Sequence, residues 1–190
     1  MKALKIFSVL MLVIALSGCS TLTEYTESEQ VLLISAVGID KAANGYTLTA
    51  EIVTEGNQQT LLSVTADSID SLIPNLKKKA GIPLLLSHCG TVFISQDFNI
   101  SDLSFLLQHL CSLYEFPLSS RLAVTNNCAT LLNAKGLSSE PKGYAVLSIL
   151  KNAKIDSRLF IIGRAHTNTL PFFIATNDYY LLKDSLWIIE

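Results

Sequence analysis

The stretch Leu16-Ser17-Gly18-Cys19 decides which part of this chain is left to fold. It closes an apolar run, Ile6 to Leu16, that follows the positive residues Lys2 and Lys5, the outline of a signal peptide. Crossing a bilayer takes roughly 20 apolar residues, and this run stops short of that. A bacterial lipobox is a branched apolar residue, two small residues and a cysteine whose thiol is alkylated by a diacylglyceryl group before cleavage frees its amine. Leu16, Ser17 and Gly18 fill the first three positions, so Cys19 is the expected lipidation site and 1–18 the expected lipoprotein signal peptide. An ordinary secretory signal with an incidental cysteine is the competing reading. Two acyl chains, at about 0.8 kcal/mol per buried CH2, hold a protein stably where one binds reversibly.

Residues 19–190 suit one domain, or one domain and part of a second. The chain is 49% hydrophobic and only 16% charged, which fits a well-filled core. A net charge of -2 gives no strong field that would favour nucleic acid or anionic lipid head groups. The basic cluster Lys77 to Lys79 sits at the end of an expected helix, where it complements the helix dipole. Cys89, Cys111 and Cys128 follow no CxxC or finger spacing and read as structural thiols, with a disulfide between two of them left open.

Ser20 to Gln30 is polar and aperiodic, so 19–30 is expected to be a lipidated cysteine with a flexible tether. Val31 to Gly38 is a continuous apolar run, Asn44-Gly45 a turn pair, and Tyr46 to Val53 alternates; together they predict a β-hairpin whose first strand is buried on both faces. Ser68 offers an N-cap for a helix with Ile69, Leu72, Ile73 and Leu76 on one face and Gly81 closing it. Leu84 to Ser95 reads as one central strand. Ser101 is expected to cap a helix whose apolar stripe runs from Leu103 to Tyr114. Ser119 to Thr125 predicts a further strand, and Ala129 to Ala134 a short helix ended by Gly136. Residues 144–165 read as helical, and Leu170 to Glu190 as short strands.

The order predicts an α/β fold: a mixed β-sheet opened by an antiparallel hairpin, parallel across the crossovers, with helices packed on it. An α/β N-terminal domain is expected over 31–136, and a helical segment with terminal strands over 137–190 that could open a second domain.

Catalytic chemistry finds little support. Neighbouring strand residues point to opposite faces, so His88 and Cys89 do not make a nucleophile and base. Cys89 with His109 would need the fold to join them, and His166 falls in a loop. Asp40 opens the hairpin turn, where local hydrogen bonding suffices to explain an aspartate. Neither paired metal-ligand spacing nor a phosphate-binding glycine motif occurs, so no cofactor is expected and the chain reads as a non-enzyme.

The lipobox, Ile34-Ser35-Ala36-Val37-Gly38-Ile39-Asp40 with its Gly-Tyr hairpin, the LLLSHCGTVFIS run with Ser87-His88, and Leu118 to Thr125 after an amphipathic helix resemble the Ger(x)C-type spore germination lipoproteins. The resemblance covers about residues 16 to 135 well and the rest loosely. It implies a non-enzymatic C subunit of a nutrient germinant receptor, required for nutrient-triggered germination. Such a subunit is held by Cys19 on the outer face of the cell or inner spore membrane and assembles with integral-membrane subunits. The chain departs from the family in keeping at most Glu29 of a Trp-Asp and Arg-Glu sequence expected after the cysteine. It is also shorter than family members with further α/β domains, with Leu170-Pro171 and Tyr180 to Lys183 resembling a compressed passage into the next one. A lipid-anchored small-molecule-binding or envelope-stress lipoprotein unrelated to spores is the alternative. Trp187, Ile188 and Ile189 are candidates for a contact patch.

Overall fold

A computed structural model describes residues 31–54, 58–134, 140–159, 169–176, 178 and 180–188. The expected signal peptide, the expected lipobox with Cys19 and the expected tether, together with Gly136, His166 and Ile189, lie outside these residues.

The expected hairpin forms from β1 (Leu32–Ala42) and β2 (Gly45–Val53), antiparallel and closed at Ala42 opposite Gly45. Gly45 has φ +104, and a Cβ there would stand 2.3 Å from the Ala66 carbonyl oxygen, so the turn requires glycine. A bulge between Ile34 and Ala36 shifts the register and fixes which side chains share a face. Ile34, Val37 and Ile39 join one core cluster with Ala50, Leu48 and Ile52, whereas Ala36 belongs to a second cluster on the opposite face.

A strand the sequence reading passes over, β3 (Gln59–Ala66), pairs antiparallel with β2 and forms one edge. Only Val64 of β3 is buried, which leaves the strand without a strong hydrophobic signal. A 3-10 turn at Ile69–Ser71 then leads into α1 (Leu72–Ala80), with Leu72, Ile73 and Leu76 buried and Gly81 in the left-handed conformation as its C-cap. Ser68 makes no side-chain capping bond; its hydroxyl meets that of Ser71 at 2.9 Å.

The segment expected as one strand is broken. A two-residue β4 (Leu84–Leu85) pairs parallel with the start of β1, a 3-10 turn takes Leu86–His88, and β5 (Thr91–Ser95) resumes. Between the pairs Leu33–Leu85 and Ala36–Thr91, β1 advances three residues and its partner six, so the excess is wound into the turn. The turn sends Leu86 and Cys89 inward and leaves His88 exposed.

From β5, α2 (Ile100–Ser112) crosses to β6 (Arg121–Thr125), which runs parallel to β5. The cap is Asn99, not Ser101: Asn99 has extended backbone and its Oδ1 accepts from the Asp102 amide at 2.8 Å. Leu103, Leu106, Leu107 and Leu110 are buried as the stripe predicts, but the helix ends before Tyr114, which is 95% exposed.

After β6 come α3 (Cys128–Asn133) and α4 (Lys142–Asn152), then β7 (Thr169–Ala175), parallel to β6, and β8 (Tyr180–Ile188), antiparallel to β7. Helix α4 begins earlier and stops sooner than the 144–165 reading. The register shift between Pro171 and Phe173 places a proline at a bulge, where its missing N–H is tolerated. The full order β3-β2-β1-β5-β6-β7-β8, with β4 also on β1, is a mixed sheet carrying helices, as the sequence predicts. Helices α1 and α2 cover the face of Ile34, Val37 and Ile39; α3 and α4 cover the other.

Candidate functional site

The titratable groups picked out in the sequence are mostly occupied with holding the fold. Asp40 sits within β1, opposite Thr47, and points to the face of Ala36, so it does not open the turn. Its two oxygens accept from the Cys128 amide at 2.8 Å and the Ala129 amide at 3.2 Å. Those are the first two N–H groups of α3, and Asn127 Oδ1 takes a third, from Thr130, at 2.7 Å. A helix this short leaves its N-terminal donors unpaired unless side chains meet them, and a carboxylate also suits the positive end of the dipole. Gly38, two residues earlier on the same face, allows the approach: a Cβ there would come within 2.5 Å of the Cys128 Cβ.

A second carboxylate repeats the arrangement. Glu51 on β2, opposite Ala36, is fully buried and accepts from the amides of Lys142 at 2.8 Å and Gly143 at 3.0 Å. Ser35 Oγ donates to it at 2.5 Å. Residue Pro141 stands at the N-cap of α4 and has no side-chain acceptor, so Glu51 supplies the cap from across the sheet. Close contact again depends on glycine, because a Cβ on Gly143 would stand 2.0 Å from the Ser35 carbonyl oxygen. The sequence reading singled out neither Glu51 nor Gly143. Glu51 alternates with Ala50 and Ile52 and so looks like a solvent-facing residue of a half-buried strand.

The opposite face has a different polar contact, near its surface. Asp102 accepts from Lys41 Nζ at 2.7 Å and from the Tyr46 hydroxyl at 3.0 Å. Burial alone would raise the Asp102 pKa, but these two hydrogen bonds outweigh it and hold the carboxyl below its ordinary range. Tyr46 is raised, first by burial and then by its bond to Asp102.

Cys89 and Cys128 are buried free thiols, whereas Cys111, read from the sequence as a structural thiol like them, is exposed. Burial pushes the Cys89 thiol up to about 12, and it donates to the Thr91 carbonyl at 3.4 Å. The Cys128 thiol is also raised, by burial and then by Asp40. Thiolate chemistry needs a lowered pKa, so neither buried cysteine is poised as a nucleophile. His88 is exposed beside buried Cys89, and among the described residues no hydrogen bond joins a cysteine to His109, whose Nε2 is buried without a partner. Also among the described residues, no three His, Cys, Asp or Glu side chains gather to hold a metal, and no helix is long and apolar enough to cross a membrane.

A family model described as the spore germination protein N-terminal domain matches residues 24–166. Searches of curated proteins and of solved structures gave no match.

Proposed function

The chain belongs to the spore germination protein N-terminal domain family, and from that membership we propose that it is a lipid-anchored, non-enzymatic subunit of a nutrient germinant receptor. In this reading Cys19 carries the diacylglyceryl group, the domain stands on the outer face of the cell or inner spore membrane, and it assembles with integral-membrane receptor subunits. The family match over residues 24–166 carries the germination role. The lipobox Leu16 to Cys19 supports the anchor, because cleavage before an acylated cysteine leaves a protein that does not diffuse away. The uses of Asp40 and Glu51 support the non-enzymatic part, since each holds a helix to the β1–β2 hairpin, and Cys89 is buried with its thiol on the Thr91 carbonyl.

Replacing the anchor tests the reading directly. In Cys19→Ala the domain should fold normally, as read by circular dichroism and thermal melting, while fractionation finds it lost from the spore membrane and nutrient-triggered germination fails. Germination at the normal rate from unlipidated protein would sink the anchoring mechanism. Coprecipitation of the lipidated protein from spore membranes should bring down multi-span partners, and recovery of the subunit alone would count against assembly.

A further inference from the structure

Strands β1, β4, β5 and β6 are mutually parallel, so they all begin at one end of the domain. The chain enters there, since Val31 leads straight into β1 and the Leu32 amide donates to the Pro83 carbonyl at 3.0 Å. Ile82 is beside that contact and 42% exposed. The segment from α2 to β6 also lies at this end, because it delivers Arg121 to the start of β6; within it Tyr114 is 95% and Leu118 43% exposed. Exposed large apolar side chains also lie toward the other end, at Ile100, Phe105 and Leu181, so exposure alone does not single out this one, but Tyr114 is the most exposed of them.

Charge divides along the same axis. The loop after α4 returns to the start of β6, where Arg121 pairs with Asp156 and donates to the Ile155 carbonyl at 3.3 Å. Asp156 is matched there by Arg158 as well, and Glu115 by Lys77, while Lys151 in the last turn of α4 and Lys154 on the loop add further positive charge. Glu140 stands two residues from Lys142 on the β3 side. At the opposite end, around the β1–β2 turn and after β3, β5 and β7, the described residues include Asp67, Asp70, Asp97, Asp102 and Asp178, offset by Lys41. Among the described residues the end by which the chain enters is therefore the more basic one, and it carries the fully open ring of Tyr114.

We infer that this end is a bilayer-contacting face, with Tyr114 and Leu118 seated at the lipid interface and the Arg121–Lys154 cluster over anionic head groups. Aromatic rings with a polar tip favour that depth, and basic side chains are drawn to anionic lipid within a Debye length. The inference rests on the reading of Cys19 as the lipid anchor. Ser20 to Gln30 spans at most about 40 Å fully extended, so an anchored domain is held within reach of the bilayer by this end.

The test uses the lipidated chain in a Cys111→Ser background, with an environment-sensitive dye on Tyr114→Cys or, at the far end, on Asp97→Cys. Each is placed in phosphatidylglycerol–phosphatidylcholine vesicles containing spin-labelled lipid, and acylation is verified by mass spectrometry. Quenching by lipid several-fold stronger at 114 than at 97 is expected. An acylated chain quenched no more at 114 than at 97 overturns the orientation while leaving the anchor standing. A chain without an acyl group overturns the anchor and the orientation together. Shielding of position 114 in spore membranes but not in vesicles of lipid alone assigns the face to a protein partner and overturns the lipid contact.

Discussion

On the face of the sheet that carries Val37 and Ile39, α1 and α2 dock through buried leucine and isoleucine stripes, with the Lys41–Asp102–Tyr46 contact at the margin. On the other face, α3 buries Cys128, Leu131 and Leu132 and α4 buries Ala145, Val146 and Leu150, and each is in addition held at its N-terminus by a carboxylate from the β1–β2 hairpin. The difference shows two ways of fastening a helix to a sheet. An apolar stripe spreads its stabilisation over many small contacts, so its loss is gradual. A capping carboxylate concentrates it at one residue, and a substitution there should be felt at once.

Glu51→Ala should break that comparison most visibly. It strips acceptors from two backbone amides and a hydroxyl in a fully buried site. Unpaired buried donors put the cost at about 3–5 kcal/mol, which for a domain of this size lowers Tm by about 10 °C. Glu51→Gln should recover part of it, and a melting curve unchanged in Glu51→Ala would refute the clamp. Next comes Gly143→Ala, which forces a Cβ toward the Ser35 carbonyl and should destabilise by about 1–3 kcal/mol in urea titration. An alanine tolerated without loss would show that α4 can slide away from β1.

Asp40→Ala should cost about 1–2 kcal/mol, as caps do, and should speed amide hydrogen exchange in Cys128 and Ala129 ahead of the α2 amides. Uniform exchange across both helices would deny α3 a separate fastening. The smallest effect belongs to the other face: Asp102→Asn should cost up to about 1 kcal/mol, because its partner Lys41 is partly exposed. Asp102 has a depressed pKa in the folded chain, so its contribution is full above the unfolded carboxylate value near ~4 and is lost as pH falls through the lower folded value. Urea midpoints measured into that acid range should fall less steeply in Asp102→Asn than in the parent. Parallel slopes would remove Asp102 from the account.

The stripe-docked face was readable in advance. Ile69, Leu72, Ile73 and Leu76, and Leu103 to Leu110, are spaced for one helix face, and Gly81 marks the stop. Where the structure differs, the cause is local: Asn99 out-caps Ser101, and the residues between Leu85 and Thr91 that exceed the matching length of β1 wind into a turn. The clamped face was not readable. Glu51 alternates with apolar neighbours as a surface residue would, and nothing in the local pattern tells of α4 arriving to bury it.

By itself, then, the sequence determined the mixed α/β class, the hairpin and the principal helices, because periodicity and turn chemistry act over a few residues. Only the tertiary structure decided that Asp40 and Glu51 cap helices some ninety residues further along, that Gly38 and Gly143 make room for them, and that β7 and β8 extend the sheet of the first strands. A helix N-terminus accepts any carboxylate brought within hydrogen-bond reach, and which carboxylate that is depends on how the strands pair.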